Sequence, residues 1–348
     1  MTNLKNKFCE RPFERIEFYQ DGIVSFCCLD FLKDEKKIIG NYNDKENLLE
    51  IWNSKTIQEV RQSILDGNFK YCKHNICPHI INNDLPDKND IKDDYFREII
   101  DKNLVTINKG PKFINICIDS SCNLKCPSCR INHYKSSNFI QIKNEKLLKK
   151  IKEQLILENR NTIHISLLGS GELFYSKSCR EFLFSLDKKE TPNLTLTIQS
   201  NGYFLNKTVW NKLEKIRNNI CDFFISLDAA CDNTYKKLRI GGNWNRVISN
   251  ILFLDEQRKR FKYNFRIILG FVVQNDNFRE IPNFIHLAKS LNIDAVYLSK
   301  IVHWTGAYDS FQEKNIFDPG HKNYNDLLEV LNNSLMKDPI VYTNIDIK

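Results

Sequence analysis

FINICIDSSCNLKCPSC, residues 113–129, is the stretch on which the fold turns. Phe113–Asp119 is an apolar run of strand length, and directly after it stand Cys122, Cys126 and Cys129 in the spacing C-x3-C-x2-C. The pattern of strand, turn and helix then repeats. Thr162–Leu168, Leu194–Gln199, Cys221–Leu227, Phe265–Val273 and Ala295–Ser299 read as strands, separated by amphipathic segments such as Asn144–Leu157 and Lys207–Arg217. Near-continuous apolar strands alternating with helices imply a parallel sheet buried on both faces. Six such units make an open or partial barrel rather than a closed eight-fold one. Barrel enzymes keep their catalytic residues just after the strands. Three thiolates from one such loop can hold three corners of a [4Fe–4S] cube and leave one iron open to the amino and carboxylate groups of a small molecule. The other use of the loop is a zinc knuckle completed by His133, although zinc loops usually come as two C-x2-C pairs.

The N-terminal region is different in character. Residues 1–81 hold five cysteines, a strand pair (Ile16–Phe18 and Ile23–Phe26) around Asp21-Gly22, and a helical segment over Leu48–Leu65 with Leu48, Leu49, Trp52, Ile57, Val60 and Ile64 on one face. Asp-Gly between apolar runs signals a hairpin. Residues 82–111 are polar and charge-dense and read as a linker. The domain reading is therefore 1–81, a linker over 82–111, a core over 112–310 and a C-terminal extension over 311–348.

Composition narrows the function. The chain has 348 residues, 42% of them apolar, and a net charge of +8 spread along its length. That excludes general disorder and argues weakly for nucleic acid, since no arginine-rich block is present. The N-terminus has no signal-peptide core and no run approaches a membrane span, so a soluble, cytoplasmic protein is expected. In a reducing compartment, cysteines clustered at short spacings bind metal or do redox chemistry.

The cysteine loop resembles the cluster motif of the radical S-adenosylmethionine (SAM) superfamily, whose fold is a partial (β/α)6, TIM-like barrel. Later strand ends resemble that superfamily in order. Gly169-Ser170-Gly171-Glu172 is similar to the Gly-Gly-Glu motif, and Gln199-Ser200-Asn201-Gly202 to the Thr-Asn-Gly turn. Ile225-Ser226-Leu227-Asp228, followed by Arg239, is similar to the stretch that contacts the SAM ribose and carboxylate. The resemblance covers Lys112 to about His303. It implies a [4Fe–4S] cluster at Cys122, Cys126 and Cys129, and SAM contacts from Gly171, Glu172, Ser200, Asn201, Ser226 and Arg239, with Glu172 receiving the ammonium. One departure is Ser128, where many members carry an aromatic residue before the third cysteine; the adenine contact there is largely through backbone.

Cys9, Gly22, Cys27, Cys72 and Cys77, with DGIVSFCC and LLEIWNSKTIQEVRQSI between them, resemble the auxiliary-cluster module called SPASM, or its shortened twitch form. That module normally follows the barrel; here it precedes it. The resemblance implies one closed auxiliary [4Fe–4S] cluster at Cys9, Cys27, Cys72 and Cys77, suited to electron transfer. Cys28 rivals Cys27, His79 rivals Cys77, and zinc is the alternative metal for four thiolates. Cys117, Cys179, Cys221 and Cys231 lack paired spacing and read as buried structural thiols. His164 reads as core. His303 and Trp304 follow the sixth strand, where they would face either a substrate or ordinary packing.

The resemblance implies an enzyme that takes an electron from a flavodoxin- or ferredoxin-like donor, reductively cleaves SAM to a 5′-deoxyadenosyl radical, and abstracts hydrogen from its substrate. The outcome is an oxidation, an epimerisation or a bond formation. Peptide maturases of this kind often carry a winged-helix domain that grips a leader peptide, and no segment has room for one. The reading therefore leans to a small-molecule substrate such as a carbohydrate. A peptide- or protein-modifying maturase is the alternative, and a non-catalytic zinc protein that binds RNA is the rival from another class.

Overall fold

The computed structural model describes residues 3–158, 162–167, 170–303 and 311–345. It divides into two compact units, the first comprising Met1–Asp119, Ile142–Ser166 and Lys189–Thr195, and the second Ser120–Gln141, Leu167–Lys188 and Leu196–Lys348.

In the first unit, β1 (Arg15–Tyr19) and β2 (Ile23–Ser25) pair antiparallel, with Phe18 opposite Val24. The turn between them places Asp21 and Gly22 at φ 59° and 87°. A side chain at Gly22 would drive into Asn41 Oδ1, so only glycine closes this hairpin. β3 (Gly40–Asn41) adds antiparallel to β2. On its other edge β1 runs parallel to β4 (Phe113–Cys117), Tyr19 beside Cys117, and β4 runs parallel to β5 (Ile163–Leu167). The N-terminal hairpin thus extends the sheet begun by β4. Residues 82–111, read above as a linker, carry a helix over Asp94–Asp101 whose Phe96 and Ile99 are buried with Phe8, Phe13 and Ile64. Its charges face solvent while two apolar residues one turn apart face the core.

The helix expected over Leu48–Leu65 is two, Leu48–Trp52 and Lys55–Leu65. Asn53 breaks it, because its side chain bonds the backbone of Ile107 and the Arg61 guanidinium. Arg61 itself is fully buried; it donates to the carbonyls of Pro12, Trp52 and Val105 and stacks on the Trp52 ring at 4.5 Å. One cation therefore ties four separate segments together.

The second unit holds β6 (Leu194–Ser200) from Leu196 onward, β7 (Ile220–Ser226), β8 (Arg266–Val273), β9 (Ala295–Lys300) and β10 (Val341–Thr343), each parallel to the next. Helices Lys207–Lys212, Asp232–Leu238, Trp244–Phe261 and Ile281–Ser290 make the crossovers. One face of the sheet is wholly apolar, and the other mixes polar side chains with half-buried Phe224, Ile268, Val272 and Tyr297. Leu196, Ile198, Phe223, Ile225, Leu269 and Phe271 are buried, whereas Thr197, Gln199, Asp222 and Ser226, on the alternate positions, are half-buried. The strand expectations hold to within a residue or two, and Leu168 lies outside the described residues. Among the described residues no helix is long and apolar enough to cross a membrane.

Candidate functional site

The cysteine loop is fastened by its own backbone. Cys122 N–H donates to Tyr134 O (3.0 Å), Lys125 N–H to Ile240 O (2.9 Å), and both Cys129 and Arg130 N–H to Cys126 O (2.9 and 3.0 Å). This leaves Cys122 and Cys126 buried and Cys129 exposed. Burial pushes the Cys126 thiol up to about 11, against the pull of Arg239, whose Nη1 lies 3.7 Å from Cys126 Sγ. Arg130, which sequence reasoning passed over, donates to the carbonyls of Ser120 and Ser170 (both 2.6 Å) and sits 3.5 Å from Cys129 Sγ.

The strand ends supply the rest. Glu172, 2% exposed, donates its N–H to Ser121 O. Its Oε1 accepts from Ser200 Oγ (2.7 Å) and Phe174 N–H (3.3 Å), and its Oε2 from Asn201 N–H (2.6 Å). Burial raises this carboxyl above the ordinary range, and these hydrogen bonds oppose the rise. Asn201 Nδ2 reaches Asn123 Oδ1 at 2.9 Å. Gly202 turns the chain at φ 77°, where a Cβ would press on Ile225 and Val247. Asp228, in the left-handed region at φ 61°, accepts Val272 N–H through Oδ1 and pairs with Arg239 through Oδ2. Burial works against the Arg239 charge, but Asp228 and the Cys126 thiol outweigh it and hold the guanidinium protonated.

Cys122, Cys126, Cys129, Gly171, Glu172, Ser200, Asn201, Ser226 and Arg239 all line one cavity of about 260 Å³, joined by Asp228 and Arg130. Gly169 and Trp304 lie outside the described residues. The contents of this cavity suit a cluster and an amino acid. Three thiols take N–H donors at their sulfurs, and a cation and an anion, Arg239 and Glu172, match a zwitterion's two ends. Arg239 Nε is buried without a partner among the described residues, a donor still to be used.

The N-terminal cysteines meet in a second cavity, within the first unit. Cys9, Cys27, Cys72 and Cys77 line it together with Phe26, Leu32, Phe69 and Leu85, and Cys28 is not among its lining. Burial pushes Cys9 up to about 11 and Cys27 up to about 12. Four thiols facing one apolar space, with no carboxylate among them, suit a thiolate-bound cluster. The space between them is about 20 Å³. No three His, Cys, Asp or Glu side chains among the described residues converge on a single-ion position. Of the cysteines read as buried, Cys179 is buried, but Cys231 is exposed. It precedes the Asp232–Leu238 helix, where its thiol lies 3.4 Å from Glu280 Oε1. His164 is half-buried, its Nδ1 2.9 Å from Thr195 Oγ1.

The Radical SAM superfamily model matches residues 117–288, and the SPASM model, an iron–sulfur cluster-binding domain, matches residues 9–78. The chain belongs to the radical SAM superfamily, with its SPASM domain placed before the radical SAM domain. Among solved structures it is similar to SuiB from Streptococcus suis bound to S-adenosylmethionine, at 16% identity and TM-score 0.51, over 85% of this chain and 63% of that one. The complex of SuiB with its precursor peptide SuiA matches at 15% identity and TM-score 0.50, over 97% of this chain and 72% of that one. This likeness is one of fold, α/β with parallel-rich strands. No curated protein gives a significant match to the chain.

Proposed function

We propose that this chain is a peptide-modifying radical SAM enzyme. The observation that carries the class is the convergence of nine sequence-nominated residues, from the cysteine loop and successive strand ends, on one cavity. In this reading Cys122, Cys126 and Cys129 hold three irons of a [4Fe–4S] cluster. Arg239, fixed by Asp228, takes the SAM carboxylate, Glu172 receives the ammonium, and Ser200, Asn201 and Ser226 complete the cradle. The bound cluster supplies the electron that cleaves SAM and so provides a radical able to abstract hydrogen. Cys9, Cys27, Cys72 and Cys77 hold a second cluster, closed by four protein ligands. A flavodoxin- or ferredoxin-like protein supplies electrons.

The substrate reading changes from that of the sequence. The lean toward a small molecule rested on finding no segment to grip a leader peptide. SuiB, seen with its precursor peptide, shares its fold with nearly all of this chain, and that likeness supports a peptide over a carbohydrate. The test is anaerobically reconstituted protein with SAM, dithionite and short peptides encoded beside its gene. SAM-dependent change in a peptide's mass, matched by 5′-deoxyadenosine, is the expected result. Turnover of a sugar with every peptide untouched would overturn the substrate reading, and stoichiometric zinc without iron would overturn the class.

A further inference from the structure

The N-terminal cavity is walled by Phe26, Phe31, Leu32, Ile64, Phe69 and Leu85, and Arg11 is the one lysine or arginine among its lining residues. Arg11 Nη1 lies 3.7 Å from Cys27 Sγ. Its other amino group, Nη2, is 3.5 Å from His79 Nε2, and His79 Nδ1 is 2.9 Å from Asp84 Oδ1. A guanidinium can only donate, so Nε2 of His79 is the acceptor and Nδ1 carries the proton toward Asp84. His79, a rival ligand by sequence, is thereby engaged on both ring nitrogens. Asp84, His79 and Arg11 form a chain of contacts that ends on the Cys27 sulfur.

A cluster held by four thiolates is anionic, and each electron added makes it more so. A fixed cation at hydrogen-bond range of a ligand sulfur stabilises the reduced form more than the oxidised one. The effect is large where apolar walls leave little screening. We propose that Arg11, oriented by His79 and Asp84, is a positioning residue that raises the reduction potential of the auxiliary cluster and so fits it to accept electrons. This rests on the assignment of Cys9, Cys27, Cys72 and Cys77 as its ligands.

The test is an EPR-monitored redox titration of the full reconstituted chain, with iron and sulfide measured on each sample. The Cys122→Ala/Cys126→Ala/Cys129→Ala protein assigns the auxiliary wave. Arg11→Gln should keep its iron and shift the auxiliary wave negative while the other wave stays in place. Arg11→Lys, which keeps the charge but loses the fork, should shift it less, and Asp84→Asn should give a small shift of the same sign. An auxiliary wave unmoved in Arg11→Gln at full iron overturns the proposal. If Arg11→Gln loses iron, Asp84→Asn decides: a negative shift supports the proposal and an unmoved wave overturns it. Failure of the ligand assignment is seen separately, as full iron retained in Cys72→Ala/Cys77→Ala.

Discussion

Arg239 and Asp228 form a buried ion pair, Nη2 to Oδ2 at 2.7 Å, and the second arm of the same guanidinium lies 3.7 Å from the Cys126 sulfur. The pair links the end of β7 to the cysteine loop. Removing one partner of such a pair leaves a buried charge unmatched, typically at a cost of about 3–5 kcal/mol. Asp228→Asn should therefore release Arg239 from its pose, weaken SAM binding by at least ~10-fold and lower the melting temperature. Isothermal titration of the reconstituted protein reads the affinity; an unchanged value would show that Arg239 is not held for SAM.

Glu172 accepts three hydrogen bonds, from Ser200, Asn201 and Phe174, before any ligand arrives. Loss of a charge-assisted hydrogen bond costs roughly 1.5–3 kcal/mol, so Glu172→Gln should weaken SAM binding roughly 10- to 150-fold. Retained iron with wild-type SAM affinity would refute the role given to Glu172.

Two cubane clusters imply about eight iron per chain after anaerobic reconstitution. Replacing Cys122, Cys126 and Cys129 by Ala should leave about half. Cys27 lines the N-terminal cavity and Cys28 does not, so Cys27→Ala should lose the auxiliary cluster's spectrum while Cys28→Ala keeps it. The reverse result would mean that the hairpin presents the other thiol.

Glu14 is half-buried beside Glu10, and burial first, then that neighbour, pushes its carboxyl up to about 7 from 4.5. Between these values the folded chain keeps a proton that the unfolded chain releases, so stability falls as pH rises from about 4.5 to about 7. Glu14→Gln should leave stability near pH 4 little changed and raise it by about 1–3 kcal/mol at pH 8. Thermal melts of holoprotein at the two pH values check this; equal gains at both would point to packing instead.

Much of the architecture was legible because its signals are local. Asp21-Gly22 announces its hairpin through backbone stereochemistry, and the apolar runs announce strands through burial. The domain division was less legible. The charges of residues 82–111 conceal Phe96 and Ile99, which only packing reveals as core. The break at Asn53 likewise depends on partners at Ile107 and Arg61.

For the candidate site, the groups proposed to act were legible in the sequence: seven cysteines in two spacing classes, the acid at Glu172, the Ser-Asn pair and Arg239. Their chemistry follows from side-chain type and their order from the strand repeat. Tertiary structure alone decided that β1 lies parallel to β4, that Asp228 grips Arg239, and that Arg130 and Arg11 stand at cysteine sulfurs. Parallel pairing joins segments about a hundred residues apart without any turn to mark it. An arginine's partner depends on where the chain returns in space, which no short-range pattern encodes.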